Sequence, residues 1–300
     1  MKLPHHGRCN YIPITKRPDY TWPGGKRLAV HFALNIEHFA FGKGDGTMVP
    51  TAETPPPDHR NFCWRDYGLR VGVWRIFDLF DDLCVPAHHL VNSALYDYCP
   101  EIFERIRERG DEVIGHGRTN SERQGLLWED DEARLIAEVT EAITRHEGKQ
   151  PRGWMGPWMS QSYVTPDLLK EAGYKYMMDW PLDDQPVWLR TRSGPILSVP
   201  YPLEINDAPQ MIQRRHAPEE FTQMVVDQFE QLLKQSDEQP LVFGVSLHAQ
   251  VVGQPYRLRQ IERALRYIVE HKLRDKVWLT RPGEIAAYIE SLPDGTVPPC

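Results

Sequence analysis

The residues able to do chemistry stand at the ends of short apolar runs. His248 closes LVFGVSLH at 241–248, Glu37 and His38 follow LAVHFALNI at 28–36, and His116 follows EVIG at 112–115. An imidazole or carboxylate at such a point can hold a metal ion or exchange a proton with water. Neighbouring strand residues face opposite ways, so only one of Glu37 and His38 enters a common cavity. In HGRTN, His116 and Asn120 stand four apart and close on one ion if the segment turns helically. An amide oxygen is a weaker zinc donor than imidazole, so a set of Glu37, His38, His116 and Asn120 is degenerate at its last position.

Three further segments carry polar groups to run ends. RGWMGPW combines Arg152 with Trp154, Pro157 and Trp158, suited to a substrate cleft with one fixed cation. DWPLDDQP brings Asp179, Trp180, Asp183 and Asp184 together, carboxylates able to orient Arg152 or to act as a base. The segment YPLEIND adds Glu204.

The elements that must position these groups alternate. Strands are expected near 28–35, 87–92, 112–116, 152–156, 175–179, 196–201, 241–247 and 276–280. Helical periodicity falls between them, clearest from Pro218, where Phe221, Val225, Phe229, Leu232 and Leu233 recur three or four apart. Other helices are expected near 69–83, 100–109, 129–146, 165–172, 261–269 and 283–291. Such alternation implies a parallel sheet closed, or nearly so, into an α/β barrel with its chemistry at the carboxyl ends of the strands. Residues 1–27 read as an N-terminal arm and 28–300 as a single barrel domain, with a long loop at 40–66 walling the site.

A net charge of -7 over 300 residues offers no basic field for a nucleic-acid backbone. Five cysteines without a CxxC pair argue against a disulfide framework or thiolate zinc knot. No signal-like or membrane-spanning stretch is present, which places the chain in the cytoplasm. No glycine-rich phosphate fingerprint supports a nucleotide cofactor. The arm, with Tyr11, Tyr20 and Trp22, is an element on which a homo-oligomer can be built.

Taken in order, NIEHF, HGRTN, RGWMGPW, DWPLDDQP and SLH resemble the five motifs of the polysaccharide deacetylase family, also defined by its NodB-homology domain. The resemblance runs over about residues 28–290 and implies a distorted (β/α) barrel of about seven strands. It implies His116 as the first metal histidine, His248 as general acid, Arg152 as the orienting group for the base, and Trp154 and Pro157 as pocket walls. Glu37 falls on an acidic position of the first motif as base or ligand, with His38 or Asn35 in the other slot. Asn120 replaces the second metal histidine, and one glutamate beside a histidine replaces paired aspartates. The wording is nearer to the family's allantoinase-like, cyclic-amide-cleaving branch, whose members act on small ureides or imides and in some cases without metal.

The expectation is a carbon–nitrogen hydrolase acting on a small amide, ureide or cyclic imide through a tetrahedral intermediate. Glu37 activates water, directly or through zinc or another divalent ion held with His116, while His248 protonates the leaving nitrogen. Arg152 or Asp179 positions the participants, and backbone N–H groups near Trp154 or Pro157 receive the oxyanion. Trp158, Trp180, Asp183, Asp184 and Glu204 complete the substrate wall. The alternatives are a metal-dependent deacetylase of N-acetylated sugars and a non-catalytic small-molecule-binding barrel.

Overall fold

Alternation along the first apolar run sets the two layers of the fold. Leu28, Val30, Phe32, Leu34 and Ile36 pack outward into a cluster with helical side chains, while Ala29 and Ala33 belong to a second cluster with Leu90, Ile114, Met155 and Val242 inside the curled sheet. Every residue of this strand is buried, as a strand covered on both faces requires.

The computed structural model describes residues 5–42 and 58–298. Its strands are β1 (Leu28–Ile36), β2 (Ala87–Val91), β3 (Glu112–Gly115), β4 (Gly153–Trp154), β5 (Tyr176–Met177), β6 (Val187–Leu189), β7 (Ile196–Ser198), β8 (Leu241–His248) and β9 (Val277–Leu279). They form one sheet in the order β6-β7-β5-β4-β3-β2-β1-β8, with β9 beside the start of β1. Pairing is parallel except between β6 and β7. The sheet curls into a half-barrel. Asn206 bridges in parallel to Ser246, so the irregular chain after β7 runs beside β8.

The covering helices are α1 (His59–Tyr67), α2 (Val73–Asp82), α3 (Leu95–Tyr98), α4 (Pro100–Arg109), α5 (Glu129–Glu147), α6 (Thr165–Glu171), α7 (Pro218–Gln235), α8 (Ala249–Val252), α9 (Pro255–Val269) and α10 (Pro282–Ser291). Between α1 and α2 the chain widens into a π-turn over Gly68–Gly72. A side chain on Gly68 would lie 2.5 Å from the backbone of Gln250, and one on Gly72 would lie 2.2 Å from the Ala249 carbonyl. Only glycine lets this turn seat against α8, the turn that follows His248.

All eight expected strands are present, mostly trimmed at their ends. The additional β6 has three residues and pairs antiparallel with β7, too short for a periodicity to register. The long-loop expectation at 40–66 lies outside the described residues over 43–57, and from His59 the chain is helical. The arm is bound to its own barrel. Arg8 grips Asp167 at 2.7 and 2.5 Å, and the fully buried Trp22 donates through Nε1 to the Leu241 carbonyl at 3.0 Å. Trp22 is therefore covered within the chain and offers nothing to a neighbouring copy. Among the described residues no helix is long and apolar enough to cross a membrane.

Candidate active site

Register brings the distant acids and imidazoles to one point. In the β1–β8 ladder Asn35 pairs with His248, and in the β2–β3 ladder Val91 pairs with Gly115, so Glu37, His116 and His248 all leave strands at the same end of the half-barrel. Glu37 Oε1 lies 3.6 Å from His116 Nε2 and 3.7 Å from His248 Nε2. The three side chains are buried, with Glu37 at 7% exposure, His116 at 1% and His248 at 7%.

Each is held from behind. His116 Nδ1 bonds the Met155 carbonyl at 2.7 Å, and its Nε2 faces Glu37. His248 bonds Asp207 twice, through Nδ1 to Oδ1 at 2.6 Å and through its backbone N–H to Oδ2 at 2.8 Å. Gln250 Nε2 donates to Glu37 Oε2 at 3.3 Å. Asn35 sits one layer deeper, where its amide donates to Ser246 and the Leu247 carbonyl, and so takes no part in a ligand set.

The electrostatics follow from these contacts. Burial pushes the Glu37 carboxyl up, but the charge of His248 and the hydrogen bonds of His116 and Gln250 outweigh it and hold the group at about 2. Burial pushes His248 down, but Asp207 and Glu37 more than reverse this, and its imidazolium form persists above the ordinary value. Asp179 is buried with Oδ1 accepting the Gly156 N–H at 2.7 Å, and burial raises its carboxyl to about 8. Arg65, buried on α1, stacks 3.5 Å above the Phe39 ring and interacts electrostatically with Glu37.

A divalent ion fits these donors poorly. Asn120 Oδ1 accepts the Asn92 amide at 2.9 Å and its backbone N–H donates to the His38 carbonyl at 2.8 Å, which fixes it as a structural clamp. The His38 ring turns away to stand 4.9 Å from Tyr98, so His38 contributes backbone and no ligand. Among the described residues no group of three His, Cys, Asp or Glu forms a metal-ligand set.

Several other expected residues lie elsewhere. Arg152 precedes β4 at the opposite end of the barrel, exposed and paired with Glu290 at 3.4 Å, so it cannot orient a base at Glu37. Met155, two residues before Pro157, lies inside the barrel, so the residue of this segment that faces inward is apolar. Trp154 points outward into the helical layer, with Nε1 donating to Gln124 at 3.2 Å. Asp183 ties Arg17 of the arm at 2.7 and 2.5 Å, the Asp184 carbonyl accepts from Val242 near the start of β8, and Glu204 is exposed on Arg214. These three acids follow the chain down the open side of the barrel, away from the mouth.

Pro157 packs on Gly117, whose φ of 67° sets the turn directly after His116. Trp158 donates to the Asn120 carbonyl at 2.9 Å, and Trp180 walls a cavity of about 700 Å³ with His6, Arg8 and Asp179. Three of the backbone N–H groups near Trp154 and Pro157 are engaged within the chain. Met155 N–H donates to Gly115, Gly156 N–H to Asp179, Met159 N–H to Gly156, and proline has no N–H. Sequence reasoning passed over Asp207, Gln250, Arg65 and Asn92. Asp207 ends a segment already singled out, and Gln250 stands two residues after His248, the signal that was available for each.

The curled, mostly parallel sheet thus carries a carboxylate between two imidazoles at its carboxyl end. Residues 61–177 match the family model described as polysaccharide deacetylase. The Helicobacter pylori peptidoglycan deacetylase is 24% identical over 235 residues, covering 67% of this chain and 79% of that protein. The crystal structure of Puue allantoinase superposes with a TM-score of 0.81 at 26% identity, over 92% of this chain and 94% of that one. A structure described as a probable polysaccharide deacetylase from Pseudomonas aeruginosa PAO1 gives 0.79 at 27% identity, over 89% and 92%. Over residues 61–177 the chain is similar to the polysaccharide deacetylase family, and it is a hydrolase of carbon–nitrogen bonds.

Proposed function

We propose that the chain hydrolyses a small linear or cyclic amide of the ureide or imide type, with water as nucleophile and no metal ion in the step. The observation that carries this reading is the placement of Glu37 Oε1 at 3.6 and 3.7 Å from two imidazole nitrogens, with Asp207 behind one of them. Neither separation is a direct hydrogen bond, and both suit a water-sized group shared between the partners. Water held between Glu37 and His116 Nε2 attacks the carbonyl carbon, and its proton passes to Glu37. His248 then gives its Nε2 proton to the leaving nitrogen as the carbon–nitrogen bond breaks. Its charge is the strongest interaction lowering Glu37, so losing that charge restores the basicity of the carboxylate. The proton returns from Glu37 to His248 to complete the cycle. Arg65 supplies the fixed positive charge that faces the developing oxyanion.

Metal-dependent deacetylation of an N-acetylated sugar is the second reading, favoured by the likeness to the Helicobacter pylori peptidoglycan deacetylase. Purified protein assayed with ureides, cyclic imides and N-acetylated amino sugars, with and without chelator, separates the two. Ureide or imide turnover unchanged by chelator is expected. Activity confined to acetylated sugars, lost with chelator and restored by zinc, would establish the second reading instead.

A further inference from the structure

We propose that Asp179 is a positioning residue that sets the orientation and basicity of His116 through the one peptide group joining Met155 to Gly156. The inference rests on His116 belonging to the reacting cavity. Asp179 Oδ1 accepts the N–H of Gly156 at 2.7 Å, and the carbonyl of Met155, the other half of that peptide, receives Nδ1 of His116 at 2.7 Å. Resonance makes the peptide a conjugated unit, so electron density withdrawn or supplied at its N–H is felt at its oxygen. Hydrogen bonds in such a chain strengthen one another by roughly 10–30% per bond.

Two features fit a tuning role better than simple packing. The second carboxyl oxygen, Oδ2, is buried without a hydrogen-bond partner, so no side chain holds the carboxyl in place of the Gly156 contact. Arg152 of the same RGWMGPW segment pairs with Glu290 at the opposite end of the barrel, so it does not compensate the carboxyl.

Burial raises Asp179 to about 8, the Gly156 N–H opposes this, and Glu132 on α5 adds to it. The Glu132 carboxylate is bound by Gln124, Ser162 and Thr165, and Arg8 and His6 of the arm share the cavity wall with Asp179. Below that pH the acid form is a weak acceptor. Above it the carboxylate pulls harder on Gly156 N–H, the Met155 oxygen becomes more negative, and His116 is bound more firmly as the Nδ1–H tautomer.

The test uses full-length protein carrying ¹⁵N-labelled histidine, with the His116 resonances assigned by their loss in H116Q. Wild type should show an inflection in the His116 ring shifts near pH 8 that is absent in D179N, which retains an oxygen for Gly156 but cannot ionise. Where turnover is measurable, the ratio of wild-type to D179N kcat should rise by about threefold across the same inflection. D179A, which lacks the acceptor, should lose about tenfold in kcat with KM retained. Persistence of the inflection in D179N, or His116 shifts indifferent to both variants, overturns the proposal. If no substrate is turned over, the functional reading fails by itself and the resonance experiment still decides the relay.

Discussion

Asp207 holds His248 by two hydrogen bonds, one to the ring at 2.6 Å and one to the backbone at 2.8 Å, so a single carboxylate fixes both the tautomer and the strand end. D207N weakens the acceptor and removes the charge that raises His248. We expect kcat to fall on the order of 10²-fold or more. Protonated His248 is the acid, so activity declines as pH rises through its raised value, and D207N should move that alkaline limb to lower pH. A pH–rate profile of the variant checks both, and an unmoved limb would remove Asp207 from the mechanism.

Glu37 titrates at about 2 against an ordinary value of 4.5, a depression that favours the folded state above the unfolded value and is lost as pH falls through about 2. The stabilisation is on the order of 3 kcal/mol. E37Q should therefore be less stable than wild type near pH 6, with the gap closing as pH falls below about 4. Urea midpoints across that range test the sign. The same variant should lose nearly all turnover.

Arg152 is half exposed, paired with Glu290 and remote from Glu37. R152A should leave kcat/KM within about twofold and stability within about 0.5 kcal/mol of wild type. A loss of turnover beyond tenfold with normal substrate affinity would restore it to the site.

Trp154 is fully buried in the outer layer, edge-on to Tyr174 at 5.4 Å. W154A should cost roughly 3–5 kcal/mol of stability, whereas W154F should lose little beyond the Gln124 hydrogen bond, on the order of 1 kcal/mol. Activity per folded molecule should survive in W154F. Loss of substrate binding with unchanged unfolding would mean that the ring reaches the cavity.

Much of the molecule was legible in the linear order of residues. Period-two runs and amphipathic stretches are local properties, so all eight expected strands and the helices around them follow from the chain itself. Strand ends are local too, and Glu37, His116 and His248 announced themselves by their placement there. Which side of each strand a residue takes, and which end of the barrel it reaches, is not local. His31 lies in the strand that leads to Glu37, yet it is sealed in the barrel interior 5.0 Å from His88, where burial lowers it to about 4. Arg152 and Trp154 stand beside Met155 in sequence, yet one residue of pleat and one turn of register send them to the barrel floor and the outer layer. Asp207 lies 41 residues before His248 and became its partner only when the chain after β7 was laid against β8. The sequence by itself determined the set of elements and the chemical groups at their ends, because propensity and periodicity act over a few residues. The tertiary structure alone decided which groups share a charge, a proton or a hydrogen bond, because those interactions depend on separations of a few ångströms between segments far apart in the chain.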